Sequence, residues 1–162
     1  MIYLFSFLFT SPTLAFDLEG RIKLQSPNPD PVWLEIDEKH RPTCGNQKLS
    51  PKLRLSEEGF VANAVVQLEG MPPGPPSTPP EKNYVLDQTG CEFSPHVVLI
   101  PRGATLSILN SDGFLHNVRA FDENVEMLFN DAMPKKGQVL KKRFERSGRI
   151  ITFSSTSGLY GN

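Results

Sequence analysis

The chain has 162 residues, among them 15 prolines and 12 glycines, and a formal net charge of −1. This length suffices for one domain with a full hydrophobic core. The many Pro and Gly residues and the short apolar runs favour a β-rich protein with many turns over a helical bundle. Because no large field of one sign is present, we expect neither nucleic acid nor anionic lipid as a partner.

The first 15 residues carry no charge, are mostly apolar, and end in Thr13-Leu14-Ala15, a small-x-small cleavage pattern. The run is too short for a helix that spans a membrane. We therefore predict a signal peptide over residues 1–15 and a mature, periplasmic or secreted protein that begins near Phe16. No membrane insertion is expected once the signal is removed.

Alternating apolar and polar residues at 18–24 and 32–36 predict short strands in an N-terminal leader, residues 16–60, which packs on the main domain or forms part of it. The main domain is predicted over residues 61–162, and the apolar run 61–68 predicts its first strand. Residues 71–80 contain six prolines, which exclude a sheet ladder and predict an extended loop inserted within the domain.

Further strands are predicted at 96–100 and 104–109, joined by the turn residues 101–103. Residues 119–130 predict a short helix, since apolar side chains recur there at i, i+3 and i+4. Residues 139–144 and 149–153 predict a closing hairpin. The succession of short strands and turns predicts an all-β fold, an antiparallel Greek-key β-sandwich with the Pro-rich loop as an insertion.

Cys44 and Cys91 are the two cysteines of the chain. In an exported protein an even pair first indicates a disulfide, here Cys44–Cys91. The alternative keeps Cys91 as a free thiolate that could bind a metal near His96. The two hypotheses exclude each other, so the redox state of Cys91 decides between them.

Several short motifs follow one another along the chain in an order that is characteristic of one protein family. They are Asn63-Ala-Val-Val66, Asp87-Gln-x-Gly-Cys91-x-Phe93-x-Pro95-His96, Pro101-x-Gly103, Asn110-Ser-Asp112, His116-Asn-Val118 and Phe129-Asn-x-Ala-Met-Pro134. From about residue 61 onwards the chain resembles the plastocyanin-like cupredoxin-domain proteins of bacterial periplasms. The resemblance implies a mononuclear copper site in which two imidazoles, a thiolate and a weak axial ligand hold the metal and let electrons pass.

On this resemblance His116 takes the place of the first imidazole ligand, and Asn110 and Asn117 are neighbours that would fix the loop or orient the ligand. The family's C-terminal motif Cys-x-x-His-x-x-Met is replaced here. Its three ligand positions fall on Ser154, Ser157 and Tyr160. A serine hydroxyl is a hard donor that stays protonated, so it cannot replace a soft thiolate.

His116 and His96 remain as candidate metal ligands, whereas His40 lies in a polar segment and is expected to be solvated. No enzyme is predicted, because the serine-rich end lacks the Gly-x-Ser-x-Gly elbow of a nucleophile. We expect a monomeric, exported relative of copper electron carriers with an unknown redox or binding partner and with weak or no copper binding. The alternatives are a functional copper protein that uses His116 and His96, and a metal-free secreted binding module.

Overall fold

The computed structural model describes residues 19–26, 28–67, 70, 82–146, 148 and 150–154, the last four by their backbone alone. Within these residues strands dominate, together with one helical turn of three residues, Glu38–His40, and one helix, α1, at Arg41–Cys44. No helix in this part of the chain is long and apolar enough to cross a membrane. The strands are β1 (Trp33–Glu35), β2 (Gln47–Leu49), β3 (Tyr84–Thr89), β4 (Glu92–Ser94), β5 (Thr105–Asn110), β6 (His116–Phe121), β7 (Met127–Met133), β8 (Gln138–Arg143) and β9 (Ile151–Ser154).

The strands form a four-stranded sheet of order β4-β3-β5-β8, a three-stranded sheet of order β7-β6-β9, and the separate pair β1-β2. One pair departs from the predicted antiparallel arrangement, since β3 and β5 run parallel. Parallel strands need a crossover connection, and residues 90–104 supply it. Within that crossover β4 turns back antiparallel along the other side of β3.

The two larger sheets share one hydrophobic core, which makes the architecture sandwich-like. Ile108 of β5 and Val118 of β6 are both fully buried in it. Burial along β6 alternates strictly between buried and half-buried side chains, as expected for a strand with one face on a core. The buried members of this cluster are Tyr84, Leu86, Ala104, Leu106, Ile108, Val118 and Met133.

The N-terminal region contacts the sandwich through a second, smaller cluster. Ile36, Cys44 and Cys91 are buried in it, and Phe114 packs against them. Ion pairs link the same region to β4, because Glu92 lies 3.8 Å from Lys48 and 3.3 Å from Arg54. The β1-β2 pair is therefore joined to the sandwich by apolar packing and by charge.

The predicted helix over residues 119–130 is wrong. The segment is instead the end of β6, a tight turn, and the start of β7, which pair as a hairpin. The turn is closed by Asp122, whose Oδ1 accepts hydrogen bonds from the backbone N–H groups of Asn124 and Glu126, each at 2.9 Å. An aspartate that binds the backbone two and four residues further on favours a turn over a helix interior.

Two of the other predicted strands and one predicted pairing also differ. In residues 61–67 Val61 alone forms a bridge, with Leu55, and no ladder follows. Residues 96–100 are likewise outside any strand. The last two strands do not pair with each other, because β8 joins β5 in one sheet and β9 joins β6 in the other. An apolar run specifies a half-buried segment, but its partner strand is decided by contacts distant in sequence.

The predicted signal peptide over 1–15, the Pro-rich loop over 71–80 and the positions Ser157 and Tyr160 lie outside the described residues.

Candidate functional site

The loop between β5 and β6 is held by the side chain of Asn110, which has no solvent exposure. Its Nδ2 donates to the carbonyl oxygens of Phe114 at 2.9 Å and Met133 at 2.8 Å. Its Oδ1 accepts the backbone N–H of Asp112 at 3.0 Å. The amide of Asn110 thus satisfies three backbone groups of this loop and of β7, which fixes the position of Asp112.

Asp112 is the centre of the polar network. Its Oδ1 accepts the backbone N–H of Gly90 at 2.7 Å, and its Oδ2 accepts that of Cys91 at 3.0 Å. The Nε2 atom of His116 lies 2.9 Å from the same Oδ2. A carboxylate accepts hydrogen bonds and donates none, so Nε2 carries the imidazole proton in this contact. A metal-ligand role for this imidazole would therefore involve Nδ1 and not Nε2.

The predicted disulfide between Cys44 and Cys91 is confirmed, and no cysteine of the chain remains free. Cys91 occupies a left-handed backbone conformation, with φ of 63°. Asp112 accepts its N–H and so supports this uncommon conformation. The hypothesis that Cys91 is a free thiolate ligand is therefore wrong, since its sulfur is bonded to that of Cys44.

Phe114 lies between two histidine rings. Its ring centroid is 4.6 Å from that of His116 and 5.5 Å from that of His40. His40 is half-buried by this contact, whereas its polar sequence neighbours predict a solvated side chain. The contact joins a residue of the N-terminal region to the loop before β6, and no local pattern in the sequence indicates it.

The other sequence-predicted residues lie apart from this network. His96 is exposed, in the segment that follows β4. Asn117 faces away from His116, because successive side chains of a strand point to opposite faces. Within the described residues its buried Oδ1 has no hydrogen-bond partner. The backbone of Ser154 lies opposite Val118 at the end of β9. In the described part of the chain no group of three or more His, Cys, Asp and Glu side chains could hold a metal ion.

Two buried residues of the quoted motifs, to which the sequence assigns no role, complete this end of the core. Gln88 of β3 is fully buried, and its Nε2 donates to the carbonyl oxygen of Leu109 and to Sδ of Met133, each at 3.3 Å. Its Oε1 is buried and has no hydrogen-bond partner in the part of the chain that the structure describes. Met133 lies directly opposite His116 in the β6–β7 register. The buried polar side chains therefore gather where β3, β5 and β6 meet the connecting loops.

A separate cleft of about 430 Å³ lies at the far end of the sandwich, between the β6–β7 turn and the segment after β8. Leu128, Phe129 and Phe144 are among its apolar walls. Two of its cationic side chains are paired, because Lys142 lies 2.8 Å from Asp131 and Arg143 lies 2.6 Å from Glu145. These pairs reduce the charge that the cleft could offer to a ligand.

Comparison of the chain with models of protein families, with curated proteins and with solved structures finds no match.

Proposed function

We propose that this chain is an exported, cupredoxin-like sandwich that acts as a binding or scaffold module and binds copper weakly or not at all. In this proposal His116 stabilises the fold. The network that joins His116, Asp112 and the disulfide takes the place of a redox metal centre at this end of the sandwich.

The strand connections support the cupredoxin-like, Greek-key part of the proposal. The chain passes from β5 into the other sheet, forms the β6–β7 hairpin there, and returns to place β8 beside β5. Strand β9 likewise returns to lie antiparallel beside β6. A fourth strand that returns beside the first, around a hairpin, is the Greek-key connection.

One observation carries the proposal: both cysteine sulfurs are consumed in the Cys44–Cys91 bond. A blue-copper centre requires a thiolate, and the chain has no other cysteine to supply one. The hydroxyl groups at Ser154, Ser157 and Tyr160 are hard donors with little preference for copper(I). The donor set of this chain does not fit that centre.

The same disulfide supports export. Disulfides persist in the periplasm and outside the cell and are rare in the reducing cytosol. The bridge is buried, with Cys91 1 % exposed, and joins residues that are 47 positions apart. A bond with this placement holds the N-terminal region to the sandwich.

The alternative function, metal binding by His116 and His96, is favoured by one observation. Histidines that bind metals commonly donate their other ring N–H to a carboxylate, and the contact between His116 and Asp112 has this form. The alternative needs the exposed His96, or another donor, to approach a histidine that has no solvent exposure.

Isothermal titration of the oxidised protein with Cu(II) and with Zn(II) tests the proposal. We expect heats that correspond to binding weaker than micromolar, and the same heats for His116→Ala and His96→Ala as for the wild type. His40→Ala is the matched control for loss of a partly buried imidazole. Submicromolar binding that disappears in both His116→Ala and His96→Ala, while circular dichroism shows that each variant is folded, would establish the alternative.

A further inference from the structure

Strand β7 differs from the other long edge strand of the sandwich. An edge strand exposes unpaired N–H and C=O groups and is ordinarily protected by lysines, prolines or short length. Strand β8 is protected by three consecutive basic residues at 141–143, and β4 has three residues. Strand β7 has seven residues, with neither a basic side chain nor a proline. Among the described strands it is thus the long edge that lacks protection.

The side chains of β7 would not repel a partner strand. Met127 is 60 % exposed and Leu128 is 38 % exposed. Asn130 and Ala132 are also exposed and carry no charge. The single charged residue, Asp131, is neutralised within the chain by Lys142 at 2.8 Å. The strand therefore presents a neutral, partly apolar edge.

A contact at the end of β7 shows which backbone groups face outwards. The carbonyl oxygen of Ala132 accepts a hydrogen bond at 3.4 Å from the side chain of Gln138, which belongs to the other sheet. The N–H and C=O groups of one residue point to the same edge, and this direction alternates along a strand. Asn130 therefore also presents its backbone groups to this edge, and among the described residues the side chain of Gln138 bonds to Ala132 and not to Asn130.

Charges of opposite sign flank the strand. Glu123 and Glu126 precede β7, and Lys135 and Lys136 follow it. All four side chains are exposed, and within the described structure none of them forms an ion pair. An antiparallel partner of the same sequence would place each acidic flank beside a basic flank, twice by symmetry. A parallel partner would place like charges together.

We propose that β7 pairs antiparallel with β7 of a second copy of this chain, which joins the two three-stranded sheets into one continuous sheet across a two-fold axis. The main-chain hydrogen bonds of this strand addition supply affinity, and the charged flanks select the antiparallel register. The inference replaces the monomer that the sequence predicts, and it does not depend on the proposed function.

Sedimentation equilibrium of the oxidised, full chain over a range of concentrations tests this dimer. We expect dimerisation that weakens as salt is raised, since the flanking charges are exposed. The double variants Glu123→Lys/Glu126→Lys and Lys135→Glu/Lys136→Glu should each raise the dimer dissociation constant by about ten-fold or more, because like charges then face each other. The variant that combines all four changes should recover wild-type association.

Two further variants separate strand pairing from general effects of charge. Lys39→Glu/Lys52→Glu changes two exposed lysines away from β7 and should leave the dissociation constant unchanged. Asn130→Pro removes an outward N–H at a position where an edge strand tolerates proline, and should abolish the dimer while circular dichroism remains that of the folded protein. If Asn130→Pro fails to fold, the charge variants alone decide. A wild-type monomer at every concentration, or a combined variant that fails to recover association, would overturn the proposal.

Discussion

The Nε2 atom of His116 lies 2.9 Å from Oδ2 of Asp112, and the imidazole has no exposure to solvent. The same carboxylate accepts the N–H groups of Gly90 and Cys91. One side chain therefore connects β6, the turn between β3 and β4, and the disulfide. We infer that this histidine contributes to stability through this carboxylate.

Asp112→Asn should lower the free energy of unfolding by about 2–4 kcal/mol, because hydrogen bonds to a buried charge are lost. The amide has one acceptor oxygen where the carboxylate has two, so its NH₂ group must face a donor, either a backbone N–H or the ring N–H of His116. Urea denaturation of the oxidised protein measures the change. Asp37→Asn is the matched control, since Asp37 is exposed and its side chain makes no capping bond. Equal stability of the two variants would contradict the role of Asp112 in this network.

Cys44→Ala/Cys91→Ala should destabilise the protein by about 4 kcal/mol in the chain-entropy account of disulfides. The two cysteines are 47 positions apart, so the bond closes a long loop in the unfolded chain. Urea denaturation with and without reductant makes the measurement. Reductant should destabilise the wild type and leave the double variant unchanged. A wild type that is insensitive to reductant while its thiols are shown to be free would refute the expectation.

The sequence predicts those features that depend on local chemistry. The disulfide follows from an even number of cysteines in a chain that is predicted to be exported, and it is confirmed. Strands β5 and β8 follow from apolar runs between turn residues, and the structure has them within one or two residues of the predicted bounds. The resemblance implies that Asn110 fixes the loop before His116 or orients a ligand, and in the structure its three hydrogen bonds hold that loop.

The features that the sequence does not predict depend on contacts far apart in the chain. The carboxylate of Asp112 binds N–H groups near residue 90, and no spacing rule relates the two segments. The contact between Gln88 and Met133 is not predicted for the same reason, since the two residues are far apart in the chain. The sequence predicts a helix where β6 and β7 form a hairpin, because Leu128 and Phe129 fit helical spacing, although Asp122 and Asn124 are turn residues.

Val125→Gly should raise the free energy of unfolding by about 0.5–1 kcal/mol. Val125 has φ of 65°, a conformation that costs a β-branched residue about 1–2 kcal/mol and that glycine adopts freely. The side chain is 78 % exposed, so its removal loses little buried surface. Val139→Gly, at an exposed position within β8, is the control and should instead destabilise the protein. Thermal unfolding followed by circular dichroism compares the two variants. Destabilisation by Val125→Gly would show that the strain is absent.

Ser56→Ala should raise the pKa of Glu58 towards its ordinary value of 4.5. The Ser56 hydroxyl donates to Oε2 of Glu58 at 2.7 Å and lowers the pKa of the carboxyl, and a backbone N–H lowers it further. Because the pKa is depressed in the folded state, this interaction stabilises the fold above the pKa of the unfolded chain and is lost as pH falls through the folded value. NMR titration of the Glu58 carboxyl carbon measures the shift. An unchanged pKa in the variant would remove Ser56 as the cause.

Titration of the oxidised wild-type protein with Cu(II), followed by visible absorption and electron paramagnetic resonance, tests the central claim most directly. Because both sulfur atoms are held in the disulfide, we predict no intense thiolate-to-copper charge-transfer band at any copper concentration. An intense band of that kind in the unreduced protein would show that a sulfur ligand reaches the metal, and would contradict a purely structural role for His116, Asp112 and the cysteine pair.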